Sequence, residues 1–232
     1  MLLNARGATT TTVGLLPSKY SMEIGLTHLG DYISKNRNIY TPKVTVENSK
    51  MDYSNFIMLC YYRNPLNYVF FNESVIVCSM FSFGVDQLWQ KGIDYDELFQ
   101  RATFLAELIQ REEVLKDRIT ASNVKYFDEL LEFMQGQRLI QIREQDGKKR
   151  VFPKSSGEAV LLMIGSICWP MVDTYYIVLF FALSLAKNKN VEEAKIPKDI
   201  QWIAETLFIE KKIQYFESCN QPSITNALTR FI

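Results

Sequence analysis

A mostly α domain, irregular and multi-helical with one small β-hairpin, is what this sequence predicts, and three observations predict it. Apolar residues recur at intervals of three and four over 95–109 and 124–135, the period of helices that bury one face. Two dense apolar blocks, 56–84 and 159–186, leave too little polar surface for a solvated side and must be covered by other elements. One stretch alternates around an Asp146-Gly147 pair, the dipeptide that suits the tight turn of a hairpin.

Taken in order, residues 1–20 are small and threonine-rich and end near Pro17, a composition hostile to a helix. Met22, Leu26, Leu29 and Ile33 then fall near helical spacing, and 44–50 alternates like a short extended segment. Residues 56–84 form the spine, in which Arg63, Asn64, Pro65 and Asn67 interrupt the apolar run. Pro65 predicts a break there, because it lacks an N–H and pushes Asn64 away from helical dihedrals.

Asp94 and Glu97 have the spacing of a capping box, and Tyr95, Leu98, Phe99, Ala102, Leu105, Ala106 and Ile109 trace the buried face of the helix that follows. Residues 124–135 predict a second helix through Phe127, Leu130, Leu131 and Met134, with Gly136 as its stop. Leu139 to Ile142 and Val151-Phe152 are the hairpin strands. Helix, helix and hairpin together read as a winged-helix-like segment with a basic tip: Arg138, Arg143, Lys148, Lys149 and Arg150. Nucleic acid is nevertheless disfavoured as a partner, since Asp128, Glu129 and Glu132 would meet phosphates with the wrong sign.

The block 159–186 is long enough to span a bilayer. Pro170 and Asp173 argue instead for two helical pieces, buried in protein or resting on a membrane surface. A helix over 199–209, an extended piece at Ile213 to Phe216 and a short helix opened by Pro222 complete the chain.

Composition bounds the function. With 47% hydrophobic and 13% aromatic residues the chain can build a core, and 26 basic against 26 acidic residues give no field that would draw it to nucleic acid. Cys60, Cys78, Cys168 and Cys219 lack the paired spacing of a metal site or disulfide scaffold and read as reduced core thiols of an intracellular protein. The N-terminus has no secretory signal pattern. His28 is the single histidine, which excludes a multi-histidine metal centre. No catalytic, cofactor-binding or metal residue is read from the pattern, and no phosphate loop or nucleophile elbow is present.

The spine carries a family resemblance. Tyr62-x-Asn64 followed by Tyr68-x-Phe70 and a long apolar helix is similar to the C-terminal region of the glycerol-3-phosphate and dihydroxyacetone phosphate acyltransferases, which place a histidine where Tyr68 stands. The similarity extends over roughly 20–232, through the segment Ile93 to Leu98, the segment Phe133 to Ile140 and the segment Trp169 to Tyr176. The family's H-x-x-x-x-D motif has no counterpart, because the fifth residue after His28 is Ile33, and Phe152-Pro153-Lys154-Ser155-Ser156-Gly157 is only a faint echo of its phosphate-binding block.

The resemblance implies a membrane-associated enzyme that acylates glycerol 3-phosphate from acyl-CoA in glycerolipid synthesis, at the mitochondrial outer membrane or the endoplasmic reticulum. It makes 1–20 a truncated junction and 21–232 a non-catalytic helical domain, inactive alone, that packs on an upstream catalytic domain and a membrane surface. Acyl-CoA and glycerol 3-phosphate would be met only through the complete enzyme, and no cofactor is implied. Tyr62, Arg63, Asn64, Tyr68, Phe70, Pro170, Asp173 and Tyr176 are its structural signature or interface residues. The competing reading is a free-standing helical interaction module.

Overall fold

The computed structural model describes residues 68–113, 117–145, 147–185 and 195–231. The helix read at Met22 to Ile33, the extended stretch 44–50, the break at Pro65, and His28, Cys60, Tyr62, Arg63 and Asn64 lie outside them. By its contacts the chain divides into Met1–Val69 and Phe70–Ile232, and the elements below belong to the second unit.

Helix α1, Phe71–Phe81, is the second half of the predicted spine, and every residue from Phe71 to Met80 is buried. A helix can be buried all round only if neighbours cover each side. Here α3 (Tyr95–Leu108) and the long α5 (Glu158–Leu185) both pack on α1. A short α2, Val85–Gln90, follows after Gly84 and buries Leu88. Arg101 of α3 brackets the end of α1, its guanidinium 3.6 Å above the Phe83 ring and Nη1 donating to the Ser82 carbonyl at 2.9 Å.

The predicted cap of α3 is present in its forward half: Asp94 Oδ1 accepts from the N–H groups of Asp96 and Glu97 at 3.0 and 3.4 Å. Leu98, Ala102, Ala106 and Ile109 are buried along the predicted face. Helix α4, Val124–Gly136, is capped by Asn123, whose Oδ1 accepts from Tyr126 N–H. Phe127 of α4 packs against the rings of Tyr95 and Phe99, at 5.6 and 5.0 Å between centroids.

Gly136 is the last residue of α4, but it does not take the left-handed conformation, which falls to Arg138 at φ 60°. Arg138 N–H reaches the Gln135 carbonyl at 2.9 Å and Leu139 N–H the Met134 carbonyl at 3.0 Å. These two bonds satisfy carbonyls the helix end would leave open, so the turn belongs two residues later than glycine alone suggests.

Strands β2 (Ile140–Gln145) and β3 (Lys148–Pro153) pair antiparallel from Ile140↔Pro153 to Gln145↔Lys148. The two-residue connection has Gly147 at φ 71°, as a tight primed turn requires. A further strand that the sequence reading missed, β1 (Ile93–Asp94), pairs with β3 on its other side, so the sheet order is β1-β3-β2. The sheet's buried side chains, Ile93, Ile140 and Val151, lie in the same core as α1, α3 and α4.

A 3₁₀ turn, Ser155–Gly157, leads into α5. A Cβ on Gly157 would stand 2.8 Å from the Leu139 Cα, so only glycine lets this turn approach the end of α4. Helix α5 corrects the expectation of two pieces: it is one α-helix of 28 residues with Pro170 inside it. After α5 come α6 (Ile196–Ile209), a 3₁₀ turn (Phe216–Cys219) and α7 (Gln221–Phe231), all packed on α5.

Helix α6 begins three residues before the predicted start, because Pro197 fits its first turn. The expected extended piece at Ile213 to Phe216 is not a strand. Phe216 opens the 3₁₀ turn, and Tyr215 just before it has extended dihedrals. Among the described residues the unit thus has seven α-helices and one three-stranded antiparallel sheet, the mostly α fold with a small hairpin that the sequence predicts.

Candidate functional site

Helix α5 has two unlike sides, and the inner one is polar where it meets its neighbours. Gly165 has no side chain, which lets α1 come close: a Cβ there would lie 3.1 Å from a Val77 methyl. Into this gap Ser74 of α1 turns its hydroxyl, accepting from Cys168 N–H at 2.9 Å and reaching the Gly165 carbonyl at 3.4 Å. The Cys78 thiol donates to the same carbonyl at 3.4 Å. Contact with the Cys78 thiol, followed by complete burial, holds the Cys168 thiol well above its ordinary pKa. Both are inert core thiols, and Cys219 is a buried free thiol pushed up to about 11 by burial.

One turn beyond Pro170 the arrangement repeats. Thr174 Oγ1 donates to the Pro170 carbonyl and lies 2.9 Å from the Ser218 carbonyl of the second 3₁₀ turn. Ser218 Oγ in turn sits 3.5 Å from Asp173 Oδ2. These contacts explain why the proline fails to split the helix. Pro170 removes one backbone donor, but Ser74 holds α5 before it and the Thr174–Ser218 link holds it after.

The third polar node joins the loop after α3 to α5 and α7. Ser223 Oγ of α7 donates to Glu112 Oε2 at 2.7 Å, and Asn226 reaches the Arg111 carbonyl. Burial, then the nearby Glu112 carboxylate, pushes the Tyr175 hydroxyl well above the ordinary tyrosine range. Glu112 Oε1 and Tyr175 Oη are both shut off from solvent. Ser74, Glu112 and Ser223 had no motif to announce them. For Ser74 and Ser223 the weak signal was polarity at positions a helical wheel assigns to the core; Glu112, beyond the end of α3, had none.

The outer side of α5 is apolar and exposed. Leu162, Met163, Trp169, Tyr176, Leu179, Phe180 and Leu183 are all exposed, Tyr176 at 68%. The span Ser155–Ser184 is long and apolar enough to cross a membrane, with a mean hydropathy of 1.5 and only 28% of its most apolar window buried. Asp173 lies between these two sides, and burial, opposed by the Ser218 hydroxyl, holds its carboxyl above the usual range.

The basic hairpin tip is largely engaged within the fold. Lys148 pairs with Asp94 at 3.3 Å, Lys149 lies over the Tyr95 ring, and Arg150 Nη1 donates to the Lys91 carbonyl. Arg143 lies over the Phe152 ring, and Asp128 accepts from the Tyr95 hydroxyl at 2.7 Å. An open groove of about 480 Å³ beside Arg150 is lined by Asp86, Gln87, Gln90 and Lys91. Among the described residues no group of three His, Cys, Asp or Glu side chains could hold a metal ion.

A family model described as the glycerol-3-phosphate acyltransferase C-terminal region matches residues 1–232, the whole chain. The chain belongs to this family. No curated protein matches it. Of the residues that the sequence resemblance singles out, Phe70 is buried at the start of α1 and Tyr68 is half-buried two residues before it. Pro170 is buried, Asp173 half-buried and Tyr176 exposed, all on α5. The structure therefore gathers three of them on one helix, near the Thr174–Ser218 link, and places Phe70 at the start of the neighbouring helix.

Proposed function

We propose that this chain is the non-catalytic C-terminal region of an acyl-CoA-dependent glycerol-3-phosphate acyltransferase of glycerolipid synthesis, and that it packs on and stabilises the enzyme's catalytic domain. The observation that carries the reading is the family match over the whole chain. The sequence supports the division of labour, since its single histidine has isoleucine where the family's general-base motif has aspartate. Among the described residues, polar links tie α5 to α1 and to the second 3₁₀ turn, and α7 to the loop after α3, as a scaffold would require. The complete enzyme works at a membrane, either the mitochondrial outer membrane or the endoplasmic reticulum.

The test is transfer of a labelled acyl group from acyl-CoA to glycerol 3-phosphate in detergent solution. The chain is assayed alone and then with a separately expressed acyltransferase catalytic domain. The expected result is no transfer alone and a stimulated rate or longer half-life in the mixture. Transfer by the chain alone would overturn its non-catalytic role, and no effect in the mixture would favour a free-standing interaction module.

A further inference from the structure

The outer face of α5 carries an apolar stripe whose direction is fixed by the rest of the domain. Leu162, Trp169, Tyr176 and Leu183 recur at every second turn, with Phe180 beside them, and are exposed by 54, 37, 68, 63 and 65% respectively. The stripe is about 32 Å long at about 1.5 Å per residue. Asp173 is the only Asp, Glu, Lys or Arg between its ends. Rotation of the helix is prevented by Ser74 and Val77 on one half and Ser218 on the other, so the stripe points away from α1.

We infer that this stripe lies on a phospholipid bilayer, with α5 parallel to the membrane plane and Trp169 and Tyr176 at the headgroup boundary. The inference rests on the reading of the chain as part of a membrane enzyme and adds which surface meets the lipid and in what orientation. Length and hydropathy alone would equally suit a helix that crosses the bilayer. The inner side disfavours crossing. It would carry the Glu112 carboxylate into hydrocarbon or break the Ser74, Thr174 and Glu112 links, and a polar group left without a partner there costs several kcal/mol.

The size and make-up of the stripe suit it to lipid. At 150–250 Å² for each aromatic ring, scaled by the exposures above, the five side chains offer roughly 500 Å². That is near the upper end of the roughly 300–600 Å² of the largest apolar patch on an ordinary soluble surface, a size that marks an interaction site. A bilayer accepts a long, narrow apolar face, and tryptophan and tyrosine are the residues that favour its boundary.

The experiment uses the full chain with Trp89→Phe and Trp202→Phe, so that Trp169 is the sole tryptophan. Dioleoylphosphatidylcholine vesicles carry bromine either near the headgroup end or near the tail end of the acyl chains. Binding with Trp169 quenched more strongly by the shallow bromines is expected. Phe180→Glu with Leu183→Glu should lower vesicle partitioning at least tenfold with an unchanged melting curve, while Phe180→Leu keeps it. Absence of binding, stronger quenching by the deep bromines, or a double variant that binds vesicles normally would overturn the inference. Loss of stimulation of the catalytic domain in detergent by the same double variant would also overturn it, by making the stripe a protein interface. Failure of the wild-type chain to stimulate in detergent would instead count against the proposed function.

Discussion

Two helices end on residues that are wrong for the conformation they adopt. Arg138 at φ 60° and Lys211 at φ 57° occupy the left-handed position beyond α4 and α6, where a side chain crowds its own backbone. At both ends the same pair of bonds closes the helix; for α6 these run from Lys211 N–H to the Phe208 carbonyl and from Lys212 N–H to the Leu207 carbonyl, at 3.0 and 2.8 Å. Glycine would relieve a strain of about 1–2 kcal/mol and cost about 0.4–1 kcal/mol in unfolded-chain entropy. Arg138→Gly and Lys211→Gly should therefore each stabilise the domain by roughly 0.5–1 kcal/mol. Urea titration checks this. A destabilised variant would show that the cationic side chain, close to the helix's negative end, outweighs the strain.

At the scale of elements, α5 is held by side chains that differ in their dependence on pH. Burial raises the Asp173 pKa in the folded state, so the folded protein holds that proton more tightly than the unfolded chain. The stability Asp173 contributes is thus fully present below its unfolded pKa and is lost as pH rises through the raised folded value. Asp173→Asn should be more stable than the parent near neutral pH, by under about 1 kcal/mol because the carboxyl is only half-buried, and the gain should vanish in acid. Thermal melts at both ends of the range decide it; a gain that persists in acid would mean that the substituted amide acts through its hydrogen bonds to Ser218 and not through loss of charge. The same helix shows where sequence reasoning stops. Helices α3 and α4 and the hairpin were legible because each encodes its own period, cap or turn within a dozen or so residues. The continuity of α5 through Pro170 was not, because it depends on Ser74 and Ser218, distant in sequence. Strand β1 was missed for a related reason: two residues carry no period, and only pairing with β3 defines them. Of the expected site, the sequence placed Pro170, Asp173 and Tyr176 on an apolar block, but only the fold shows which face each of them occupies.

Within Phe70–Ile232 as a whole, α5 is the element that α1 on one side and α6 and α7 on the other have in common. Ser74 ties its first half to α1, and Ser223 ties α7 to Glu112 beside its second half. If α5 transmits stability between them, Phe70–Ile232 should unfold in one transition although its two ends use different contacts. Ser74→Ala removes the acceptor of a buried N–H and should cost about 1–3 kcal/mol; Ser223→Ala strips a donor from a buried carboxylate and should cost about as much. The discriminating observable is the slope of the urea transition. Both variants should shift the midpoint downward with an unchanged slope, and far-ultraviolet and aromatic signals should stay superimposed. A second transition appearing only in Ser223→Ala would show that α7 melts separately and that the polar node at Glu112 secures a local latch. Superimposed curves would instead make α5 the common axis through which any load placed on its outer face is shared by the whole unit.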